Sequence, residues 1–215
     1  MPVFEEPGRD CPLCPRLVGY RMQNRAAHPE WHNAPVRSFG SIESEILIVG
    51  LAPGLNGANR TGRPFTGDYA GKLLYGTLLR FGLASGTYAE TPDDGLSLVG
   101  CRITNAVRCA PPANLPAPEE VKTCNRFLLS ELQEMAKLRA VLALGVVAHT
   151  AVLRAAGMPL ARMRFRHGAI HELPDGLLLA DSYHVSRYNT STGRLNEAMF
   201  QDVVLALRRR LEEAA

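Results

Sequence analysis

Glu45–Gly50 reads EILIVG, a nearly all-apolar run that stops at a glycine. The next stretch, LAPGLNGANRTGRPFTGDYAG (51–71), is too rich in glycine and proline to continue any regular element. A short apolar run without alternation suits a strand buried on both faces, as in a parallel sheet covered by helices. Working outward, Leu98–Val107 (LVGCRITNAV), Ala140–Gly145 (AVLALG) and Gly176–His184 (GLLLADSYH) have the same character. Between them Gly71–Phe81, Pro118–Lys137 and Val146–Ala156 read as helices. Leu195–Glu213 adds a last one, with Met199, Phe200, Val203, Val204 and Leu207 near helical spacing. This alternation predicts a three-layer α/β fold, with a central, mostly parallel four-stranded sheet flanked by helices. No internal repeat or low-complexity linker divides the chain, so residues 1–215 read as a single domain.

Composition narrows the class of protein without naming it. The chain is 46% hydrophobic, and no apolar run approaches the roughly 18 residues of a membrane span. Its opening, MPVFEEPGRD, lacks the layout of a secretory signal, so a cytoplasmic monomer with no membrane partner is expected. A net charge of +3, from 24 basic and 21 acidic side chains, is too small a bias to announce a nucleic-acid binder. Distribution says more. Arg60 and Arg63, Arg187 and Arg194, and Arg162, Arg164 and Arg166 sit in turn-like stretches, from which guanidinium groups either meet phosphates or stay solvated. The Arg208–Arg210 run ends a helical pattern and suits the helix dipole.

In open α/β sheets ligands lie beyond the carboxyl ends of the strands, which points to the loops after Gly50, Ile103, Gly145 and Tyr183. The loop after Gly50 contains neither G-x-x-x-x-G-K-[ST] nor G-x-G-x-x-G. It does carry Phe65 and Asp68, an aromatic face and a carboxylate three residues apart, which suit one wall of a pocket for a heterocycle or packing beneath the loop. Asn105, near the end of ITN, has a carboxamide able to read the edge of a base or to cap a turn. His184 opens HVSRYNTSTGR, a turn-rich segment of hydroxyls, Tyr188, Asn189, Arg187 and Arg194, the residue types that grip phosphates and wedge between bases.

Cysteines stand at 11, 14, 101, 109 and 124. Cys101 lies on an apolar strand and reads as core. The others form C-x2-C, a long gap, then C-x14-C, a set of soft ligands equally suited by spacing to zinc or to an iron–sulfur cluster. Disulfides are disfavoured by the odd count.

Taken together, these motifs resemble the iron–sulfur branch of the uracil-DNA glycosylase superfamily. GLAPG (50–54) is similar to its first motif, GRPFTGD (62–68) to the continuation, ITNAVRCAPP (103–112) to the central motif and HVS (184–186) to the final one, which usually reads HPS. The fourth family has an acid where this chain has Leu51, and the NGANRTGRPFTGD run resembles the fifth, B-type family. The resemblance implies a [4Fe–4S] cluster on Cys11, Cys14, Cys109 and Cys124. It also implies a monofunctional glycosylase that everts and excises uracil, and other deaminated bases such as hypoxanthine, from DNA and leaves an abasic site. In that reading Gly50, Leu51, Ala52, Phe65 and Asn105 bind the base, Asp68 and His184 are catalytic, and Arg187, Tyr188 and Arg194 face DNA. A non-enzymatic iron–sulfur redox sensor that binds DNA is the competing expectation.

Overall fold

The computed structural model describes residues 4–213. Its sheet has the strand order β4-β1-β5-β7-β6. The strands β1 (Ile46–Gly50), β4 (Cys101–Asn105), β5 (Ala140–Leu144) and β7 (Leu178–Ser182) run parallel, and β6 (Ile170–Glu172) pairs antiparallel with β7 at the edge. The sheet is therefore five-stranded, one more than the sequence reading expected. β6 is three residues long and partly exposed, so it lacks the apolar run that marks the others. The expected strand Leu98–Val107 splits at Gly100, whose φ is 64°. Ser97–Leu98 becomes β3, which pairs with β2 (Ala84–Ser85) in a separate ribbon.

Burial on both faces of the four parallel strands explains their composition. Ile46 and Ile48 point to one side, where α3 (Tyr69–Arg80) and α7 (Glu197–Glu213) pack Leu74, Leu78, Phe200 and Val204. Leu47 and Val49 point to the other, against α4 (Pro118–Glu134) and α5 (Val146–Ala155) through Val121, Leu128, Ala148 and Val152. Two hydrophobic layers on one sheet give the three-layer architecture. The helix α1 (Pro15–Ala27), which sequence periodicity does not signal, joins the second layer through Leu17, while its other buried residues are the polar Arg21 and Asn24. Short helices α2 (Ala58–Thr61) and α6 (Arg187–Ser191) lie in the loops after β1 and β7. Among the described residues no helix is long and apolar enough to cross a membrane.

The winding reverses at β1: the chain leaves it for β4 on one side and returns to β5 on the other. Ligand crevices of doubly wound sheets open at such a point.

Candidate active site

A cavity of about 710 Å3 opens beyond the carboxyl ends of β1, β4 and β7, within the size range of small-molecule sites. Its walls include Leu51, Ala52, Phe65, Asp68, Asn105, His184, Arg187 and Tyr188. Gly50 lies beneath, as a floor that admits no side chain. A Cβ there would stand 2.5 Å from Phe65 Cζ and closer still to Asn105 Oδ1. The missing side chain at position 50 is what lets the aromatic ring and the carboxamide meet.

Phe65 is held in place rather than left in a loose loop. Its backbone is left-handed, with φ 52°, a conformation that costs a non-glycine residue about 1–3 kcal/mol and persists where neighbours enforce it. Tyr75 and Tyr88 do so by donating hydroxyl hydrogen bonds to the carbonyls of Pro64 (2.6 Å) and Phe65 (3.1 Å). Beside them Arg63 is buried in a two-pronged pair with Asp94, both contacts 2.8 Å, and donates to Thr66 Oγ1 at 2.7 Å. The sequence reading offered Arg63 as a phosphate ligand. Its guanidinium is instead enclosed by Phe39, Tyr75 and Tyr88 and is committed to folding the loop. Exposed Arg60 is a neighbour that only donates to Asn56 O.

Asp68 caps α3, accepting from Ala70 N at 3.1 Å, and its carboxylate nests against Gly54 and Gly57, where added Cβ atoms would clash with it. Burial raises its pKa above the ordinary value, opposed by the amides of Gly71 and Ala70. Asn105 is 3% exposed, and its Oδ1 has no hydrogen-bond partner. A buried carbonyl oxygen left without a donor is costly, and this one packs against Gly50.

His184 sits at the end of β7, its ring centroid 6.1 Å from that of Phe65. Burial pushes its pKa down to about 4, so the imidazole is neutral near pH 7 and offers a ring N–H without a full positive charge. Val185, where the resembling motif usually has proline, is fully buried and anchors the loop in the core. Ser186 caps α6, and Asn189 Nδ2 donates to His184 O at 2.8 Å, which ties the histidine backbone to that helix. Arg187 lies over the Tyr69 ring at 5.3 Å, and Tyr188 is 71% exposed on the cavity rim. Arg194 does not line the cavity; it stacks on Tyr183, 4.5 Å from the ring centroid.

The cysteines converge elsewhere, on one small enclosure that Cys11, Cys14, Cys109 and Cys124 line together with Arg21. Cys14 is the residue before α1 and Cys124 lies within α4, so the enclosure joins the N-terminal segment to the central helices. Cys101 is buried apart from them and donates to Leu83 O. Arg108 N donates to Cys124 Sγ at 3.4 Å, and Arg21 Nη1 to Cys109 Sγ at 3.6 Å. Arg21 is 5% exposed, its Nε has no partner, and no carboxylate pairs with it among the described residues. The sequence does contain a signal for it: Arg21 stands seven residues, about two helical turns, after Cys14.

A family model of the uracil DNA glycosylase superfamily matches residues 37–208. This chain belongs to that superfamily. Among superfamily relatives, the type-5 uracil-DNA glycosylase of Thermus thermophilus is 47% identical over 205 residues, covering 93% of each chain. That of Mycobacterium leprae is 44% identical over 90% of this chain and 88% of its own. A type-4 uracil-DNA glycosylase of Pyrobaculum aerophilum is 34% identical over 69% of this chain and 62% of its own. Similarity is thus higher and longer toward type-5 members, in line with the NGANRTGRPFTGD run.

Within this superfamily member the four motif segments, carried by the loops after β1, β4 and β7, meet at the cavity, with Gly50 beneath it and Arg194 outside; the expected loop after Gly145 does not line it. The sequence reading missed Tyr69 and the Ala113–Leu115 turn, which also line it. Another cluster of ligand-type side chains is unrelated to the cavity. Asp181 Oδ1 lies 2.7 Å from His149 Nδ1, and Asp181 Oδ2 lies 3.3 Å from His171 Nε2. These contacts hold α5 and β6 against β7.

Proposed function

We propose that this protein is a uracil-DNA glycosylase that everts a deaminated base from DNA, hydrolyses its bond to the sugar and leaves an abasic site, with hypoxanthine accepted beside uracil. The observation that carries the reading is the meeting of Phe65, Asn105 and His184 around one cavity. Everted bases are recognised by stacking and by hydrogen bonds to their edges, which are the two interactions Phe65 and Asn105 offer. The Asn105 carboxamide carries both an acceptor and donors, the pair that the imide N–H and an adjacent carbonyl oxygen of uracil require.

As the C1′–N bond breaks, its electron pair moves onto the base, and negative charge gathers on a ring carbonyl oxygen. The neutral His184 donates to that oxygen and stabilises the charge, as an oxyanion hole does. The sugar becomes oxocarbenium-like; the ionised Asp68 stabilises it and orients the water whose oxygen bonds to C1′. The water proton passes to solvent, and the base anion is protonated after it leaves. Leu51 and Ala52 put no acid on their stretch of the wall, where the fourth family carries one, which favours a wide substrate range.

Cys11, Cys14, Cys109 and Cys124 are assigned to a [4Fe–4S] cluster, whose chemistry here is structural cross-linking. The donor set fits. The buried, carboxylate-free Arg21 supplies the positive charge that an anionic thiolate-bound cluster needs.

Duplexes carrying a single uracil, hypoxanthine or mispaired thymine, treated with the protein and then heated in alkali, test the reading. Strand cleavage at uracil and hypoxanthine is expected. Binding with no cleavable site in any duplex would reject it in favour of a DNA-binding redox sensor.

A further inference from the structure

Two segments that lie side by side at the carboxyl end of β7 carry charge of one sign. Residues 157–171, between α5 and β6, contain Arg162, Arg164 and Arg166, and residues 182–196, which follow β7, contain Arg187 and Arg194. Neither segment has an aspartate or a glutamate. These five arginines exceed the net charge of +3 of the whole chain, so the remainder is net negative. All five are exposed, and among the described residues none pairs with a carboxylate. A single exposed arginine is ordinary, but a patch of one sign on one face attracts polyanions.

Strand register places the first segment. β6 runs antiparallel to β7 with Ile170 opposite Ala180, so the chain entering β6 passes the point where β7 ends and the loop to His184 begins. Tyr183 N donates to His167 Nδ1 at 3.1 Å, and the two rings stack with centroids 4.8 Å apart. Arg194 lies over the same tyrosine ring at 4.5 Å, so both basic segments rest on one aromatic platform. Before His167 burial alternates: Arg162, Arg164 and Arg166 are exposed, while Met163, Phe165 and His167 are half-buried. The inward residues are all engaged. Phe165 meets the rings of His149 and Tyr183 at 5.8 and 6.1 Å, and Met163 O accepts from His149 Nε2 at 3.0 Å. Wholly buried Asp181 accepts from Arg166 N at 3.2 Å while it holds His149 and His171. The His149–Asp181–His171 cluster is thus the footing of this segment. Its backbone is ordered before any partner arrives, which lowers the cost of binding, and the guanidinium groups stay free.

We infer that Arg162, Arg164 and Arg166 form a strip that holds the phosphate backbone of duplex DNA to one side of the everted nucleotide, continuing the surface of Arg187 and Arg194. The inference rests on the proposed glycosylase activity. A duplex rises about 3.4 Å per base pair, so its backbone extends well beyond a cavity that takes one base, and arginines beside the rim meet it there. Such contacts set register and orientation without reading sequence. The strip touches no reacting atom, so its work is in binding and not in bond cleavage.

Fluorescence anisotropy with a uracil-free duplex over a range of salt concentrations tests it, by a readout that does not depend on excision. The triple variant Arg162→Gln, Arg164→Gln, Arg166→Gln should bind roughly tenfold or more weakly at low salt, and the slope of log K against log salt should fall by about 2–3, near 0.9 for each phosphate released. The triple lysine variant keeps the charge and should keep most of the slope. Arg209→Gln with Arg210→Gln, which removes charge from the opposite end of the sheet, should leave the slope unchanged. Single-turnover excision of uracil at saturating protein should stay within about twofold of wild type in the triple variant, with unchanged thermal melting. With duplexes shortened on either side of the uracil, the binding loss should vanish on one shortened duplex and persist on the other. An unchanged slope, an equal fall in the Arg209 and Arg210 variant, or a loss indifferent to which side is shortened overturns the strip and leaves the glycosylase reading standing. Failure of the wild type to excise uracil overturns that reading instead.

Discussion

Asn105 Oδ1 occupies the space into which a side chain at Gly50 would project, with the Phe65 ring crowding the same point from the other side. Gly50 ends β1 in register with Asn105 at the end of β4, so strand pairing sets the contact. Gly50→Ala must therefore displace the ring, the carboxamide or the β1 terminus. Overpacking of this kind costs about 1–3 kcal/mol, or a melting point lower by roughly 2–12 °C for a chain this size. Misplacing the two groups proposed to bind the base by about 1 Å should cost roughly 100-fold in kcat/KM. The prediction is a catalytic loss out of proportion to the melting shift, measured on the same preparation.

His184 carries a pH signature. Its folded pKa of about 4 lies below the ordinary histidine value of about 6.5. Above that value both folded and unfolded states hold the ring neutral. As pH falls toward 4, the unfolded chain takes up a proton that the folded protein refuses, so stability declines across that window. His184→Gln should flatten this decline in denaturant titrations between pH 7 and 4. It should also lower single-turnover excision by roughly 100- to 1,000-fold at pH 7, the loss typical of an oxyanion donor. An NMR titration of the ring that placed its midpoint near 6.5 would remove the neutral-donor assignment.

Asp68 has a capping role and a proposed catalytic one, which one substitution separates. Asparagine caps helices about as well as aspartate, so Asp68→Asn should melt close to wild type. Its lost charge should appear in the rate. Because burial raises the carboxyl pKa, the ionised form is depleted as pH falls through a value above the ordinary 3.8, and wild-type excision should show an acid limb there. The variant should be slower and lack that limb. Wild-type single-turnover rates in Asp68→Asn would assign the rate mainly to leaving-group stabilisation.

What the sequence discloses depends on whether a residue speaks through hydrophobic pattern or through paired polar contacts. EILIVG and AVLALG are legible because burial on both faces demands unbroken apolar runs. Helix α1 is not, since two of its three buried residues are Arg21 and Asn24, which leave no apolar stripe. β6 is illegible because a short, half-exposed edge strand needs none. In the site, Phe65, Asn105 and His184 are found from chemistry at strand ends. Arg63 misleads because Asp94, the partner that buries it, lies 31 residues further on. The Ala113–Leu115 turn is passed over because exposure and backbone strain have no sequence signature in PPANLPAP.

Arg21 gives the cysteine site a test that does not depend on catalysis. A buried guanidinium with an unpartnered Nε and no carboxylate is unfavourable unless something anionic lies beside it, and Arg21 lines the same enclosure as Cys11, Cys14, Cys109 and Cys124, with Cys109 Sγ 3.6 Å from its Nη1. If they carry the cluster, Arg21→Met removes the counter-charge. The protein should then be isolated with less iron and sulfide per chain and should bleach faster in chelator, while Arg21→Lys keeps the charge and retains more cluster. The purified wild type should be brown. In cluster-free protein the same Arg21→Met change should be neutral or stabilising, since it replaces an uncompensated buried charge with an apolar side chain. Metal analysis of the three proteins, with melting curves before and after chelation, separates these outcomes. Equal iron retention in Arg21→Met and wild type would mean that the cation is not paired with the cysteine site.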